Sequence, residues 1–303
     1  MIDICNAREN NCGIIVTLRP SHIPYLQELR AAGMTMVRLN GSHNTVDWHR
    51  KTIQTIRSTI PGTSILLDIP GRKLRLNIDR ETPVHAGETL NLPLPTWIPE
   101  GTTIIFDDGK IMGTIILNKR LVQFHQDGQL RPQIGMNIPS VPLQGPLLTT
   151  RDLEIIDLAQ TETVDYIGLS FIESSELIHA VHNLCDRPCA VKIETQLAMQ
   201  NLDNICKHAD MVIVARGDLS VECGLFNVIK NQKQILQTAK HYNKIGVVAT
   251  GLLALYPPQQ STIADIHNAI SDGADTLLVS NDLPDGQNAV EAVHTLNMII
   301  NTA

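Results

Sequence analysis

Aromatic residues are scarce: Phe, Trp and Tyr make up 3% of the 303 residues, so the core must rest on Ile, Leu, Val and Ala. Positive charge is also short, with 24 Lys and Arg against 31 Asp and Glu and a net charge of −7. No basic block breaks that balance, so nucleic acid is not an expected partner. No apolar run reaches the ~20 residues of a membrane-spanning helix, and no membrane partner is expected. The opening "MIDICNARENNCGIIVTL" has no basic segment leading into an apolar one, so no secretory signal is expected. The six cysteines (Cys5, Cys12, Cys185, Cys189, Cys206 and Cys223) include no Cys-x-x-Cys pair, which suits free thiols in a reducing, cytoplasmic setting. Cys185 and Cys189 lie near His182 in sequence, but no second ligand pair has zinc spacing, and zinc is not expected. GxGxxG and P-loop motifs are both missing, as are solenoid-period repeats and low-complexity tracts.

What remains is a chain that is 43% hydrophobic, enough for one large barrel-type domain or one domain plus an insert. Short apolar runs alternate with amphipathic segments. The strand candidates are "IIVTL" (14–18), "MTMVRLN" (34–40), "SILLDI" (64–69), "DYIGLSF" (165–171), "CAVKIE" (189–194), "MVIVARG" (211–217), "GVVAT" (246–250) and "TLLVS" (276–280). Between them lie segments such as "VDWHRKTIQTIRSTI" and "FNVIKNQKQILQTAKHY", whose apolar residues recur every three to four positions. Continuous apolar strands joined by helices predict a parallel sheet buried on both faces. Eight such units predict an α/β fold, a (β/α)8 TIM barrel.

Residues 72–145 break the rhythm. They hold Pro83, Pro93, Pro95, Pro99, Pro132, Pro139 and Pro142 and short strand patterns, and "DDGK" (107–110) reads as a hairpin turn. The expected organisation is therefore a barrel from 1–71 and 146–303, with a small all-β lid domain at 72–145 inserted after strand 3.

In such a barrel the site forms at the C-terminal ends of the strands. Polar residues collect there. Strand 2 ends "VRLNGSH", which places Arg38, Asn40 and, if the strand stays extended, Ser42 on one face. Asp68 ends strand 3, Lys192 and Glu194 share a face of strand 5, Asp218 follows strand 6, and Thr250 ends strand 7. Glu194 and Asp218 come from adjacent strands, and two carboxylates with open positions suit Mg²⁺ or Mn²⁺. Lys192 and Arg38 would face the anionic part of a substrate and stabilise charge developing on an enolate or a transferring phosphoryl group. The other reading makes Lys192–Glu194 and Arg38–Asp68 internal ion pairs, which are costly to bury. Arg216 is expected to brace the loop that presents Asp218.

These strand ends resemble the pyruvate kinase family. The matching stretches run collinearly along nearly the whole chain: "TLRPSH" (17–22), "AGMTMVRLNGSH" (32–43), "LLDIPGRKLR" (66–75), "DDGKI" (107–111), "GMNIPS" (135–140), "DYIGLSFI" (165–172), "VKIET" (191–195), "DMVIVARGDLSVE" (210–222) and "LLVSND" (277–282). The resemblance implies a divalent metal on Glu194 and Asp218, and Lys192 beside the transferring phosphoryl or enolate oxygen. It implies phosphate held by Arg38, and the pyruvate end held by Thr250 with the backbone around Gly217. Asn40, Ser42 and Asp68 would form a monovalent cation site of the K⁺ type. Thr17, Pro20, His43 and Arg75, with Asn40 nearby, would lie on the nucleotide side. The implied partners are phosphoenolpyruvate, pyruvate or a related 2-oxo acid, with ADP or ATP; a homo-oligomer is left open.

The sequence departs from that family's pattern at several points. Its lysine and glutamate in "DTKGPE" are Pro70 and Lys73, the basic pair before "GVNLPG" is Gln133 and Ile134, and the asparagine after "KIE" is Thr195. Gly251 replaces the glutamine of "ATQM", and Ile263 replaces the arginine of "TRAE". The C-terminal regulatory domain is not expected. Residues for metal and 2-oxo acid persist while several for nucleotide phosphates do not. Three readings follow: a pyruvate kinase-like phosphotransferase, a lyase- or aldolase-like enzyme using the same enolate, and a non-catalytic ligand sensor.

Overall fold

The computed structural model describes residues 12–116, 121–249, 251–253, 257–280 and 282–303. Three parallel strands come first: β1 (Gly13–Thr17), β2 (Met36–Asn40) and β3 (Ser64–Ile69), separated by helices α1 (Leu26–Ala31) and α2 (Val46–Thr59). Thr45 caps α2 by accepting from the Trp48 N–H, and His49, Thr52, Ile53 and Ile56 make its buried face at the spacing the sequence predicts.

The chain then leaves for eight short strands: β4 (Leu74–Arg75), β5 (Thr82–Val84), β6 (Thr89–Asn91), β7 (Thr103–Phe106), β8 (Ile111–Ile116), β9 (Leu121–Phe124), β10 (Gly128–Leu130) and β11 (Gly135–Asn137). All pair antiparallel, in a sheet ordered β4-β11-β7-β8-β9-β6 and a two-stranded ribbon β10-β5. They close on a core of their own, in which Phe106 and Phe124 stack at 6.2 Å between centroids. Phe106 pairs with Ile111, so Asp107 to Lys110 form the hairpin turn read from "DDGK".

Helix α3 (Thr150–Thr161) brings the chain back. The remaining frame is β12 (Tyr166–Leu169), α4 (Glu176–His182), β13 (Cys189–Ile193), α5 (Gln196–Gln200), α6 (Leu202–His208), β14 (Met211–Ala215), α7 (Arg216–Cys223), α8 (Val228–His241), β15 (Ile245–Ala249), α9 (Gln260–Ser271), β16 (Thr276–Val279) and α10 (Gln287–Ile300). The parallel strands close into a barrel in the order β1-β16-β15-β14-β13-β12-β3-β2. Outside it, one large aliphatic cluster seals helices to strands. Among the described residues no helix is long and apolar enough to cross a membrane.

The inside of the barrel decides where the site lies. Ile15, Met36, Leu66, Ala190, Ile213, Val247, Ala249 and Leu278 form one buried cluster, with Tyr166 packed against it. Side chains alternate along a strand, so the next inward positions are Thr17, Arg38, Asp68, Gly168, Lys192 and Ser280. The inward rows thus turn from apolar to polar at the C-terminal mouth.

Candidate active site

At that mouth the charges are paired across strands. Arg38 on β2 donates from Nε to Asp68 Oδ2 at 2.8 Å, and its Nη2 lies 2.6 Å from the same oxygen. Its Nη1 donates to Thr17 at 3.1 Å and to Ser280 at 3.2 Å. Lys192 on β13 donates to Ser170 at 3.1 Å and sits 3.3 Å from Glu194 Oε2 and 3.9 Å from Asp68 Oδ2. Both ion pairs weighed from the sequence therefore form, and Lys192 joins them into one network. Ser170 and Ser280 were missed in the sequence, although both stand at strand ends on the alternation that flags Lys192 and Arg38.

Glu194 is fully buried. Its Oε1 accepts from the Phe171 backbone N–H at 2.6 Å, while Oε2 lies 3.3 Å from the Lys192 ammonium and, among the described residues, has no well-aligned hydrogen-bond donor. Burial raises its pKa, opposed by Lys192 and reinforced by Asp218. Among the described residues, Asp68 also keeps one buried oxygen, Oδ1, without a donor. Two buried carboxylate oxygens lacking donors are what cations would satisfy. Among the described residues no group of three or more His, Cys, Asp or Glu could hold a metal.

Asp218 stands in the first turn of α7 rather than on an extended strand end. Arg216, two residues before it, makes a fork to Asp265 with both contacts at 2.8 Å, the bracing role expected of it. Asp218 is not free: Lys73, at the root of the insert, donates to its Oδ1 at 2.9 Å. Burial would lower the Lys73 pKa, but Asp218 and Asp108 outweigh it and the net shift is upward, so the side chain is charged.

Ser42 does not share a face with Asn40. The strand ends at Asn40, whose side-chain oxygen accepts from the Ser42 N–H at 3.1 Å in a tight turn. Gly41 sets that turn: a Cβ there would lie 2.2 Å from the Asp68 carbonyl oxygen. Asn40 and Asp68 are directly paired across β2 and β3, whereas Ser42 is exposed.

The residues expected on the nucleotide side are dispersed. Thr17 is buried against Arg38, Pro20 opens an exposed turn, His43 is exposed, and Arg75 donates to the Gln133 carbonyl at 3.0 Å within the insert. Among the described residues no hydrogen bond or ion pair joins Pro20, His43 and Arg75. Gly217 lies exposed in α7 beside Asp218. Thr250 lies outside the described residues.

The insert is tied to the barrel through a polar seam. Asn137 donates to Glu222 at 2.8 Å, Arg72 pairs with Glu173 at 3.0 Å, and Ser140 donates to Gln196 at 2.5 Å. Burial raises both glutamate pKa values, against the Asn137 amide at Glu222 and the Leu143 N–H and Arg72 at Glu173. The seam borders an open cleft of about 490 Å³ lined by Arg72, Leu143, Phe171, Glu173, Leu197 and Asn201. Thr195 explains its own departure: it caps α5 by accepting from the Ala198 N–H at 3.0 Å and donates to the Ile172 carbonyl at 3.0 Å. Threonine and asparagine are both good caps, so the exchange preserves the turn.

Comparison with known proteins agrees with this architecture. The family description "Pyruvate kinase, barrel domain" matches residues 88–293. A pyruvate kinase of Methanocaldococcus jannaschii is 30% identical over 96% of this chain and 69% of its own length. One from Thermococcus litoralis is 31% identical over 95% and 69%, and one from Mycobacterium tuberculosis is 29% identical over 95% and 69%. With its closed eight-stranded barrel and its collinear strand-end residues, the chain belongs to the pyruvate kinase family.

Proposed function

We propose that this protein catalyses metal-dependent phosphoryl transfer between phosphoenolpyruvate and a nucleoside diphosphate, through the enolate of pyruvate. The observation that carries the reading is Glu194: a fully buried carboxylate with one oxygen that has no well-aligned donor among the described residues, beside the Lys192 ammonium and near Asp218. Glu194 and Asp218 would hold Mg²⁺ or Mn²⁺, which when bound neutralises charge on the phosphoryl and enolate oxygens. Asn40 and Asp68, with Ser42 through its backbone turn, would hold a monovalent cation such as K⁺.

The chain's own residues do the rest. Lys192 faces the bridging oxygen and stabilises the negative charge that builds there as the phosphorus–oxygen bond breaks. A terminal oxygen of the nucleoside diphosphate takes the phosphoryl group, and the enolate then gains a proton at its methylene carbon to give pyruvate. Arg38, oriented by Asp68, Thr17 and Ser280, positions the phosphoryl group. Thr250 and the backbone at Gly217 hold the carboxylate end. Of the residues expected on the nucleotide side, Thr17 orients Arg38 and Arg75 is held by the Gln133 carbonyl, which leaves Pro20 and His43 to line it; residues 72–145 would form a lid over the barrel mouth.

The test is transfer of phosphate from phosphoenolpyruvate to ADP with Mg²⁺ and K⁺, followed by phosphorus NMR. Formation of ATP and pyruvate, lost in Lys192→Met, supports the reading; no transfer to any nucleoside diphosphate contradicts it. A second reading is favoured by one observation: Arg75 is spent on the Gln133 carbonyl, and Gln133 and Ile134 bring no cation to the lid. In that reading the same enolate attacks an aldehyde or another electrophile, and nucleotide is not used.

A further inference from the structure

Lys73 ties three elements together. Its ammonium is 2.9 Å from Asp218 Oδ1 on the barrel and 3.3 Å from Asp108 Oδ1 on the insert's hairpin turn. It also lies over the Phe171 ring, 5.4 Å from the centroid. Phe171 in turn holds a left-handed backbone, φ 53°, which bulky residues rarely adopt. That conformation turns its N–H onto Glu194 while its ring stays under Lys73. Lys73, Phe171, Glu194 and Asp218 are therefore one contiguous unit, with a cation already at the carboxylate where a divalent ion is proposed.

We propose that Lys73 is an intramolecular counter-ion that occupies Asp218 until a divalent cation displaces it, so that cation binding releases the insert's hairpin from the barrel. The inference rests on the reading of Glu194 and Asp218 as the cation pair. An ammonium and a divalent ion on one carboxylate repel each other strongly in a partly buried setting. Lysine is suited to the exchange because it is a compact charge on a flexible stem. Asp108 offers the displaced ammonium a second carboxylate, 73% exposed and already in contact. Once Lys73 belongs to Asp108 alone, the hairpin loses its ionic tie to α7.

The experiment measures Mn²⁺ binding to the metal-free protein by electron paramagnetic resonance, together with amide hydrogen exchange over residues 103–112. Lys73→Met should bind Mn²⁺ about tenfold more tightly than the unaltered chain, while Lys73→Arg, which keeps the charge, should stay within about threefold of it. Lys73→Gln makes the same comparison if the methionine variant fails to fold. Mn²⁺ should speed exchange in the hairpin of the unaltered chain, and in Lys73→Met exchange should be fast with or without it. If Lys73→Met and Lys73→Gln bind Mn²⁺ no more tightly than the unaltered chain while Asp218→Asn weakens binding, the counter-ion role is overturned and the cation pair stands. If no form binds Mn²⁺, the cation pair itself is wrong and the inference falls with it.

Discussion

Gly168 sits in register with Asp68 across β12 and β3, and a Cβ at Gly168 would lie 1.9 Å from Asp68 Oδ1. The carboxylate that anchors Arg38 therefore depends on a missing side chain one strand away. Gly168→Ala is expected to cost about 1–3 kcal/mol of unfolding free energy, the range for overpacking a core. It should also lower activity by roughly 10²-fold, because Arg38 follows Asp68 out of position. Unfolding by denaturant and steady-state kinetics check both; wild-type values in both would show that Asp68 can move freely.

Lys192 and Glu194 should be coupled in the metal-free protein. Lys192→Met leaves a buried carboxylate without its cation and is expected to cost about 3 kcal/mol at neutral pH. Burial already raises the Glu194 pKa, so its protonated form favours the fold. The cost should therefore shrink as the pH falls towards that raised value and grow above it. Adding Glu194→Gln should restore most of the loss, and a double-mutant cycle reads the coupling.

The Arg216–Asp265 fork should matter through Asp218. Arg216→Lys keeps the charge but loses the paired geometry, and Asp265→Asn leaves the arginine without its carboxylate. Asp265 is 30% exposed, so a loss of about 2 kcal/mol is expected, less than for a fully buried pair. Affinity for Mn²⁺ should fall in both variants, because α7 carries Asp218.

Two histidines predict an acid limb of stability. Burial lowers the pKa of His22 and His49 below the ordinary 6.5. His49 shows why: its Nε2 faces the His43 carbonyl at 2.9 Å, and its buried Nδ1 has no partner for a proton among the described residues. A lowered histidine pKa favours the neutral form in the fold, so its stability is present above 6.5 and is lost as the pH drops through the folded value. Thermal melts from pH 7.5 to 5.5 should show that fall, and His49→Asn should flatten it. An unchanged slope in the variant would assign the acid limb elsewhere.

The barrel was legible because two local rules suffice for it. Apolar runs of strand length joined by helix-period segments set its strands, and alternation along "VKIE" and "VRLN" set which residues point into the mouth. The site's partners were legible only in part. The same alternation at Ser170 and Ser280 would have found the acceptors of Lys192 and Arg38. Ser42 failed because the Asn40 side chain closes a turn that ends the strand. The Lys73–Asp218 contact joins the insert to α7, and no local pattern carries information about where an inserted domain settles.

The most direct test of the account is proton exchange at the methyl group of pyruvate, followed by proton NMR in deuterated water. The protein with Mg²⁺ or Mn²⁺ is expected to exchange those protons, and Lys192→Met, Glu194→Gln and removal of the metal are each expected to abolish the exchange. Exchange that survives in Lys192→Met, or no exchange by the metal-loaded protein, would contradict an enolate formed at this barrel mouth.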